Sequence, residues 1–431
     1  MSETHLMVPF EHPVAGTVRV PGSKSLTNRA LVLAALARGK ESGQENSVLE
    51  HALQSEDTEI MVDCLQRLGI GLQTDWPSRR VTIAGCGGRI PATRADLFVG
   101  NSGTTMRFLT AILGAARGRY RLDGIERMRE RPIGDLLAAL AQLGVQTKCE
   151  RHEGYPPVIM ETNGLHGGLV RVCGSLSSQF VSGLLIAAPL AEGDIVLELE
   201  GDLVSRPYVD MTVRIMKHFG ASVETDGVGH YRVHGRQRYQ PRCYVIEPDA
   251  SAASYFFAAA ALTGGCVTVP DLDRGSLQGD VRFVDLLAEM GAKLESGAEG
   301  LTVRGGGLHG IAADMNDISD CVMTLAAVAC FAEGATTIRK VAHVRHKESD
   351  RLHALATELR RIGALVQEFD DGLRIEPRPL HGAVMETYGD HRLAMSWALI
   401  GLRVPGISIR DPGCVAKTYP NFFADLERLR L

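Results

Sequence analysis

No two cysteines in this chain are spaced C-x-x-C, and the nine that occur, an odd number, are scattered singly. That pattern argues against a disulfide framework or a structural zinc site and for a reducing compartment. Positive charge is not in excess either. The 46 Lys and Arg against 51 Asp and Glu leave a formal net charge of −5, which excludes a broad nucleic-acid-binding surface. No G-x-x-x-x-G-K-[ST] loop occurs, so nothing points to nucleoside triphosphate use. No apolar run is long enough to span a bilayer, and Met1 to Met7 lack the basic region and apolar core of a signal peptide, so a cytoplasmic protein is expected. What remains, 45% hydrophobic and 23% charged over 431 residues, is a globular composition with room for more than one domain.

The most informative stretch is Pro21-Gly22-Ser23-Lys24-Ser25-Leu26-Thr27-Asn28-Arg29, which opens the apolar run Ala30 to Leu36. Pro-Gly ends a preceding strand, read over Val14 to Val20, and Ser23 or Ser25 can cap the helix that follows. Lys24 and Arg29 put cations at the positive end of a helix, where the dipole disfavours them. Such a conflict suits an anion site, although one isolated segment of this kind also fits a solvated helix start.

The design recurs. Small or polar clusters open apolar runs at 23, 101, 175, 249, 317 and 389, with separations of 78, 74, 74, 68 and 72. A second landmark, a helix ending in Gly, falls at Gly69, Gly144, Gly220, Gly291 and Gly363, with separations of 75, 76, 71 and 72. Two landmarks with one period predict an internal repeat of about six units, each Gly taking a left-handed helix-end position. Within a unit the order reads strand, capped helix, strand, second helix, two strands, an α/β pattern. In the first unit, Gly39 to Glu56 reads as a loop, with strands over Ile70–Thr74 and Arg80–Ala84. Leu97–Gly100 reads as the strand entering the next unit. The polar, Pro-containing stretch Gln237 to Cys243 follows three units. The first twenty residues fit either half.

If equivalent units pack alike, their first helices point the same way, and the N-termini of each half face one cleft. The residues there include Lys24, Arg29, Arg107, His391 and Arg392 as cations and Ser177, Ser178 and Gln179 as neutral donors, with Arg131, Arg206, Lys347, Arg351 and Lys417 nearby in sequence. This inventory matches substrates carrying phosphate and carboxylate groups. Asp320 and Glu348 stand out among so many cations as candidates for proton transfer, while Glu348 equally fits an ion pair with Lys347 or Arg351.

Several stretches closely resemble the 5-enolpyruvylshikimate-3-phosphate (EPSP) synthase family. They are Pro21–Leu31, Gly100–Thr104, Arg129–Ile133, Ser177–Phe180, Gly201–Tyr208, Asp249–Ser251, Lys347–Arg351 and Asp390–Met395. The resemblance covers nearly the whole chain. It implies a two-domain inside-out α/β barrel of six βαβαββ-like repeats, three per domain. The domains would be 21–246 and 1–20 plus 247–431, with the active site in the cleft between them. It implies transfer of the enolpyruvyl group of phosphoenolpyruvate to the 5-hydroxyl of shikimate 3-phosphate, with release of phosphate, in aromatic amino-acid biosynthesis. No metal or organic cofactor is implied. A monomer is expected, with glyphosate as inhibitor and no nucleic-acid or membrane partner.

Carried over residue by residue, the resemblance assigns Lys24, Asp320, Glu348, His391 and Lys417 to catalysis. Shikimate 3-phosphate would be held by Lys24, Ser25, Arg29, Ser177, Ser178, Gln179, Ser205, Tyr208, Asp320, His343 and Lys347. Phosphoenolpyruvate would be held by Lys24, Asn101, Gly103, Arg131, Gln179, Arg351, Arg392 and Lys417. Two positions depart from the commoner family pattern: His343 stands where an Asn often contacts substrate, and Phe108 where many members have Pro. The alternatives are the sister transfer to UDP-N-acetylglucosamine and a non-catalytic anion-binding repeat protein. Against the first stand Ser177, Ser178, Gln179 and Ser205, and the lack of any cysteine between Cys86 and Cys149, since that enzyme carries a loop cysteine as proton donor. Against the second stands the intact set of Lys24, Asp320, Glu348 and His391.

Overall fold

The computed structural model describes residues 3–38 and 45–430. Its recurring unit is seen whole in Gly168 to Val233. The strand Gly168–Cys173 lies parallel to Ile195–Glu200, with the helix Ser178–Ala187 crossing between them. After the helix Arg206–His218, the hairpin Glu224–Thr225 and His230–Val233 adds two antiparallel strands, His230–Val233 lying next to Ile195–Glu200. Arg94–Phe98, Arg117–Asp123, Val158–Asn163 and Gln146–Cys149 repeat that order, as do Ala312–Asp314, Thr336–Arg339, Gly372–Glu376 and Leu365–Phe369.

The chain forms two compact units, Gly22–Ile246 and Met1–Pro21 with Glu247–Leu431. Among the described residues, three sheets belong to each. Three sheets are completed by strands from far along the chain. In Gly22–Ile246, the first place beside Ser47–Glu50 is taken by Cys243–Val245, which arrives last. In the split unit, Ala15–Thr17 lies parallel to Cys266–Val269. There too, Thr4–Leu6 pairs antiparallel with Ser408–Arg410, which also carries Val384–Met385.

The layering inverts the usual α/β arrangement. Of the fourteen residues of the helix Ala250–Thr263, all but Thr263 are buried, and the helix Gly103–Gly114 is buried throughout. A helix apolar on every side has to lie inside. The strands alternate instead: Val158–Asn163 buries Val158, Met160 and Thr162 and turns the others outward, as a sheet covered on one face does. Small residues let the inner helices approach closely. A Cβ on Gly183 would lie 3.1 Å from Ala111 Cβ and 3.2 Å from the Arg107 carbonyl on the neighbouring helix.

Five of the six polar helix starts cap as read: Ser23, Ser102, Ser177, Asp249 and Asp390 accept backbone N–H groups of the first turn. The start at 317 does not. Asp317 binds Arg282 (2.9 Å) and Asp320 is drawn to other cations, so a 3-10 turn over Ser319–Cys321 leads into the helix Val322–Ala329 without a side-chain cap. The glycines closing the second helices all have positive φ, from 84° at Gly69 to 115° at Gly291. The strand read over Val14 to Val20 shrinks to Ala15–Thr17, and the strand entering Asn101 is Arg94–Phe98. Of the loop read from Gly39 to Glu56, 39–44 lie outside the described residues, and Ser47–Glu50 is a strand. Among the described residues no helix is long and apolar enough to cross a membrane.

Candidate active site

In Gly22–Ile246 the candidate residues stand at the starts of the inner helices and on the loops beside them. Lys24 is the first residue of the helix Lys24–Leu36, and its Nζ lies 3.4 Å from the carboxylate of Asp57, itself buried. Asp57 was not singled out in the sequence, because an acid in the first turn of a helix is ordinary dipole chemistry.

Arg29 does not point at solvent. It is 2% exposed and spends its N–H groups inside the unit. Nε donates to Thr212 Oγ1 (2.7 Å), Nη1 to the Ser25 carbonyl (3.0 Å), and Nη2 to the Tyr208 carbonyl (3.1 Å) and Ser182 Oγ (3.5 Å). All four acceptors are neutral, and burial lowers its pKa to about 10. Arg107 also turns inward, donating to the Pro132 carbonyl (2.8 Å) and approaching Met128 Sδ, so it braces the loop carrying Arg131.

Arg131 and Gly103 form one feature. The Arg131 guanidinium is 5% exposed, and Nη1 donates to the Asn101 carbonyl (3.0 Å) and side-chain oxygen (3.2 Å). Gly103 makes room for the guanidinium itself, since a Cβ there would lie 2.9 Å from Arg131 Cζ. Asn101, Gly103 and Arg131 are thus brought together. Ser177 caps and Ser178 opens their helix, with Gln179 beside them, and Arg29 links that helix to the one carrying Tyr208. Ser205 precedes the Tyr208 helix at φ 51°, a left-handed conformation costly for a non-glycine residue and often kept where a side chain must be aimed. Arg206 is directed elsewhere, to the carbonyls of Gly227 and Val228.

The split unit holds a denser cluster. Asp320 is its hub: Oδ1 accepts from Lys347 Nζ (2.6 Å) and Arg351 Nη1 (3.2 Å), and Oδ2 from Arg392 Nη2 (2.7 Å). Arg351, 1% exposed, also donates from Nη2 to Glu348 Oε2 (2.9 Å) and from Nε to Asp390 Oδ2 (2.8 Å). Three cations and three carboxylates therefore interlock. Glu348 takes the ion pair with Arg351, while Lys347 goes to Asp320 and Ser319. Burial alone would lower the Arg351 pKa, but Asp390, Glu348 and Asp320 hold it above its ordinary value. Burial lowers that of Lys347. His343, on the turn Ala342–His346, has its pKa lowered to about 3 by burial and by the charge of Lys347. His391 is wholly buried, with Nδ1 3.6 Å from Asp390 Oδ1, and Lys417 ends the turn Pro412–Lys417. The sequence reading passed over Asp390, Ser319 and Ser349 as site groups, though Asp390 lies inside a singled-out motif. Asp390 takes two roles at once, capping its helix and holding Arg351 and Ser349.

The model of the family described as EPSP synthase (3-phosphoshikimate 1-carboxyvinyltransferase) matches residues 10–426. A 3-phosphoshikimate 1-carboxyvinyltransferase of Nostoc punctiforme is 50% identical over 415 residues, 96% of each chain. One of Shewanella denitrificans is 44% identical over 435 residues, 100% of this chain and 99% of that one. Among solved structures, an EPSP synthase of Acinetobacter baumannii superposes with a TM-score of 0.82 at 27% identity, covering 99% of this chain and 98% of that one. The enolpyruvyl transferase NikO of Streptomyces tendae shares the fold, with a TM-score of 0.78 at 22% identity, over 100% of this chain and 98% of its own. The architecture is the two-domain inside-out α/β barrel of the enolpyruvyl transferases. Within that class, this chain belongs to the EPSP synthase family.

Proposed function

We propose that this chain transfers the enolpyruvyl group of phosphoenolpyruvate to the 5-hydroxyl of shikimate 3-phosphate, with the residues described above in the following roles. The reaction is that of a 3-phosphoshikimate 1-carboxyvinyltransferase, and the UDP-N-acetylglucosamine alternative is not favoured. One observation carries the assignment of a phosphoenolpyruvate subsite. Arg131 is a buried guanidinium that, among the described residues, bonds to neutral oxygens of Asn101, packs against Gly103 and leaves its Nε without a hydrogen-bond partner. A buried cation without a carboxylate is costly unless an anion completes it. Arg351, Arg392, Lys417, Gln179 and Lys24 contribute to the same substrate.

Ser177, Ser178, Ser205 and Tyr208 take the 3-phosphate, with Lys24, Ser25, Arg29 and Gln179. Asp320, Lys347 and His343 take the ring hydroxyls. The 5-hydroxyl oxygen attacks C2 of phosphoenolpyruvate, its proton passing to Asp320, while the methylene carbon gains a proton from Glu348. In the tetrahedral adduct the carboxylate left on Glu348 takes a proton back from the new methyl group as phosphate departs by carbon–oxygen cleavage, and the proton held on Asp320 leaves with the phosphate, restoring both carboxyl groups. Lys24 and Lys417 stabilise the charge on the departing oxygens, and His391 lies against this machinery through Asp390. Glyphosate competes for the phosphoenolpyruvate subsite. The protein works as a monomer, and in the cytoplasm, a reducing compartment that suits its free cysteines. Phosphate release assayed with shikimate 3-phosphate and, separately, with UDP-N-acetylglucosamine tests the reading. Turnover with the first alone is expected, and turnover with the second alone overturns it.

A further inference from the structure

Phe108 departs from the family's commoner residue, and its surroundings suggest what it does. The side chain is wholly buried, on the helix that Gly103 begins. The Arg29 guanidinium carbon lies 5.1 Å from the centre of its ring and 6.0 Å from that of Tyr208. An aromatic face at that range attracts a guanidinium, and does so more strongly where water is excluded.

Arg29 in turn joins the pieces of the acceptor pocket. Its N–H groups reach the carbonyl of Ser25, the carbonyl of Tyr208, and Ser182 one turn beyond Ser178. Thr212 fixes its Nε and itself donates to the Tyr208 carbonyl (2.8 Å). The guanidinium is therefore the common tie of the segments bearing Ser25, Ser178 and Tyr208, and most of its hydrogen-bonding capacity is spent on that tie. None of these acceptors is charged, so the aromatic faces beside it are its electrostatic partners, the ring of Phe108 the nearer and that of Tyr208 the farther.

We propose that Phe108 is a positioning residue for the acceptor: its ring holds Arg29, and Arg29 holds the three segments that receive shikimate 3-phosphate. The inference rests on the assignment of those segments to the acceptor made above. The phosphoenolpyruvate end of the same helix is fixed independently, by Arg131 on Asn101 and by Arg107 on the Pro132 carbonyl. Loss of the ring should therefore be felt on one substrate.

The test uses the full chain and two variants. Phe108→Leu keeps apolar bulk and removes the π face, and Thr212→Val removes the Nε acceptor at nearly constant shape. Each is expected to raise the KM for shikimate 3-phosphate roughly five- to tenfold. The Kd for the same ligand, measured calorimetrically without phosphoenolpyruvate, should rise in parallel, while kcat and the KM for phosphoenolpyruvate stay within twofold. Equal rises for both substrates would show general loosening and overturn the proposal, as would unchanged acceptor constants in both variants. If Phe108→Leu fails to fold, Phe108→Met, which also lacks the π face, takes its place and is read in the same way. A wild-type protein that releases no phosphate with shikimate 3-phosphate overturns the functional assignment and this inference together. Active variants with unaltered acceptor constants overturn only the inference.

Discussion

The Cα of Gly103 faces the guanidinium of Arg131 so closely that a Cβ would lie 2.9 Å from Cζ and 3.1 Å from Nη1. A methyl group at position 103 thus meets the cation proposed to receive phosphoenolpyruvate, and the guanidinium must move. Overpacking of this kind costs about 1–3 kcal/mol. Gly103→Ala is expected to raise the KM for phosphoenolpyruvate roughly tenfold or more, and the inhibition constant of glyphosate with it. The KM for shikimate 3-phosphate should change little. Steady-state constants for both substrates check this, and an unchanged phosphoenolpyruvate KM would separate Gly103 from the subsite.

Glu348 accepts from Arg351 through Oε2. Glu348→Gln preserves the shape and an oxygen for that bond but has no proton to give. Turnover should fall by a factor of roughly a hundred or more, with shikimate 3-phosphate still bound. Near-wild-type turnover in this variant would remove Glu348 from proton transfer.

Burial first, and then the charge of Lys347, push the His343 pKa down from its ordinary 6.5 to about 3; Arg351 and His346 oppose its charged form too, while Asp320 favours it. Between those values the unfolded chain binds a proton that the folded chain refuses. Stability contributed by this group is therefore lost as pH falls through 6.5 toward 3, with a slope approaching about 1.4 kcal/mol per pH unit. His343→Asn should flatten the pH dependence of stability on the acid side. Urea titrations of both proteins at several pH values between 4 and 7 measure the difference, and parallel curves would rule the effect out.

Glu358 is fully buried in the middle of the helix Arg351–Arg361. It accepts the Glu386 backbone N–H (3.0 Å) and the Tyr388 hydroxyl (2.9 Å), and pairs with Arg361 (3.0 Å). It ties that helix to the segment leading into Asp390. Glu358→Ala strands those donors and should cost roughly 3 kcal/mol, read as a lower urea midpoint. A midpoint shift equivalent to less than about 0.5 kcal/mol, the range of an ordinary surface change, would refute it.

The repeat was legible because its markers are local. A capping side chain and a left-handed glycine act within one helical turn, so their spacing survives in the sequence. The start at 317 misled because Asp317 and Asp320 were drawn away by Arg282, Lys347 and Arg392, partners distant in sequence. Charge and helix position put Arg107 in the cleft inventory, whereas it turns inward to the Pro132 carbonyl, a direction composition does not encode. Thr212, Ser182 and Glu358 lie inside helices, where a polar residue gives no sign of what it will meet. The first twenty residues were ambiguous because strands of three residues are too short to show alternation.

Those short strands also bear on the order in which the protein is made. Gly22–Ile246 contains every strand of its own sheets and can close once Cys243–Val245 has left the ribosome. Thr4–Leu6 is synthesised long before its partner Ser408–Arg410, with the whole of Gly22–Ile246 coming between them. Until that partner appears, the Thr4–Leu6 strand is an unpaired edge tethered to a unit that can already have folded. That exposure invites wrong pairing. A three-residue strand is too short to template much of it, and this brevity protects the nascent chain while the final sheet waits for its last strand.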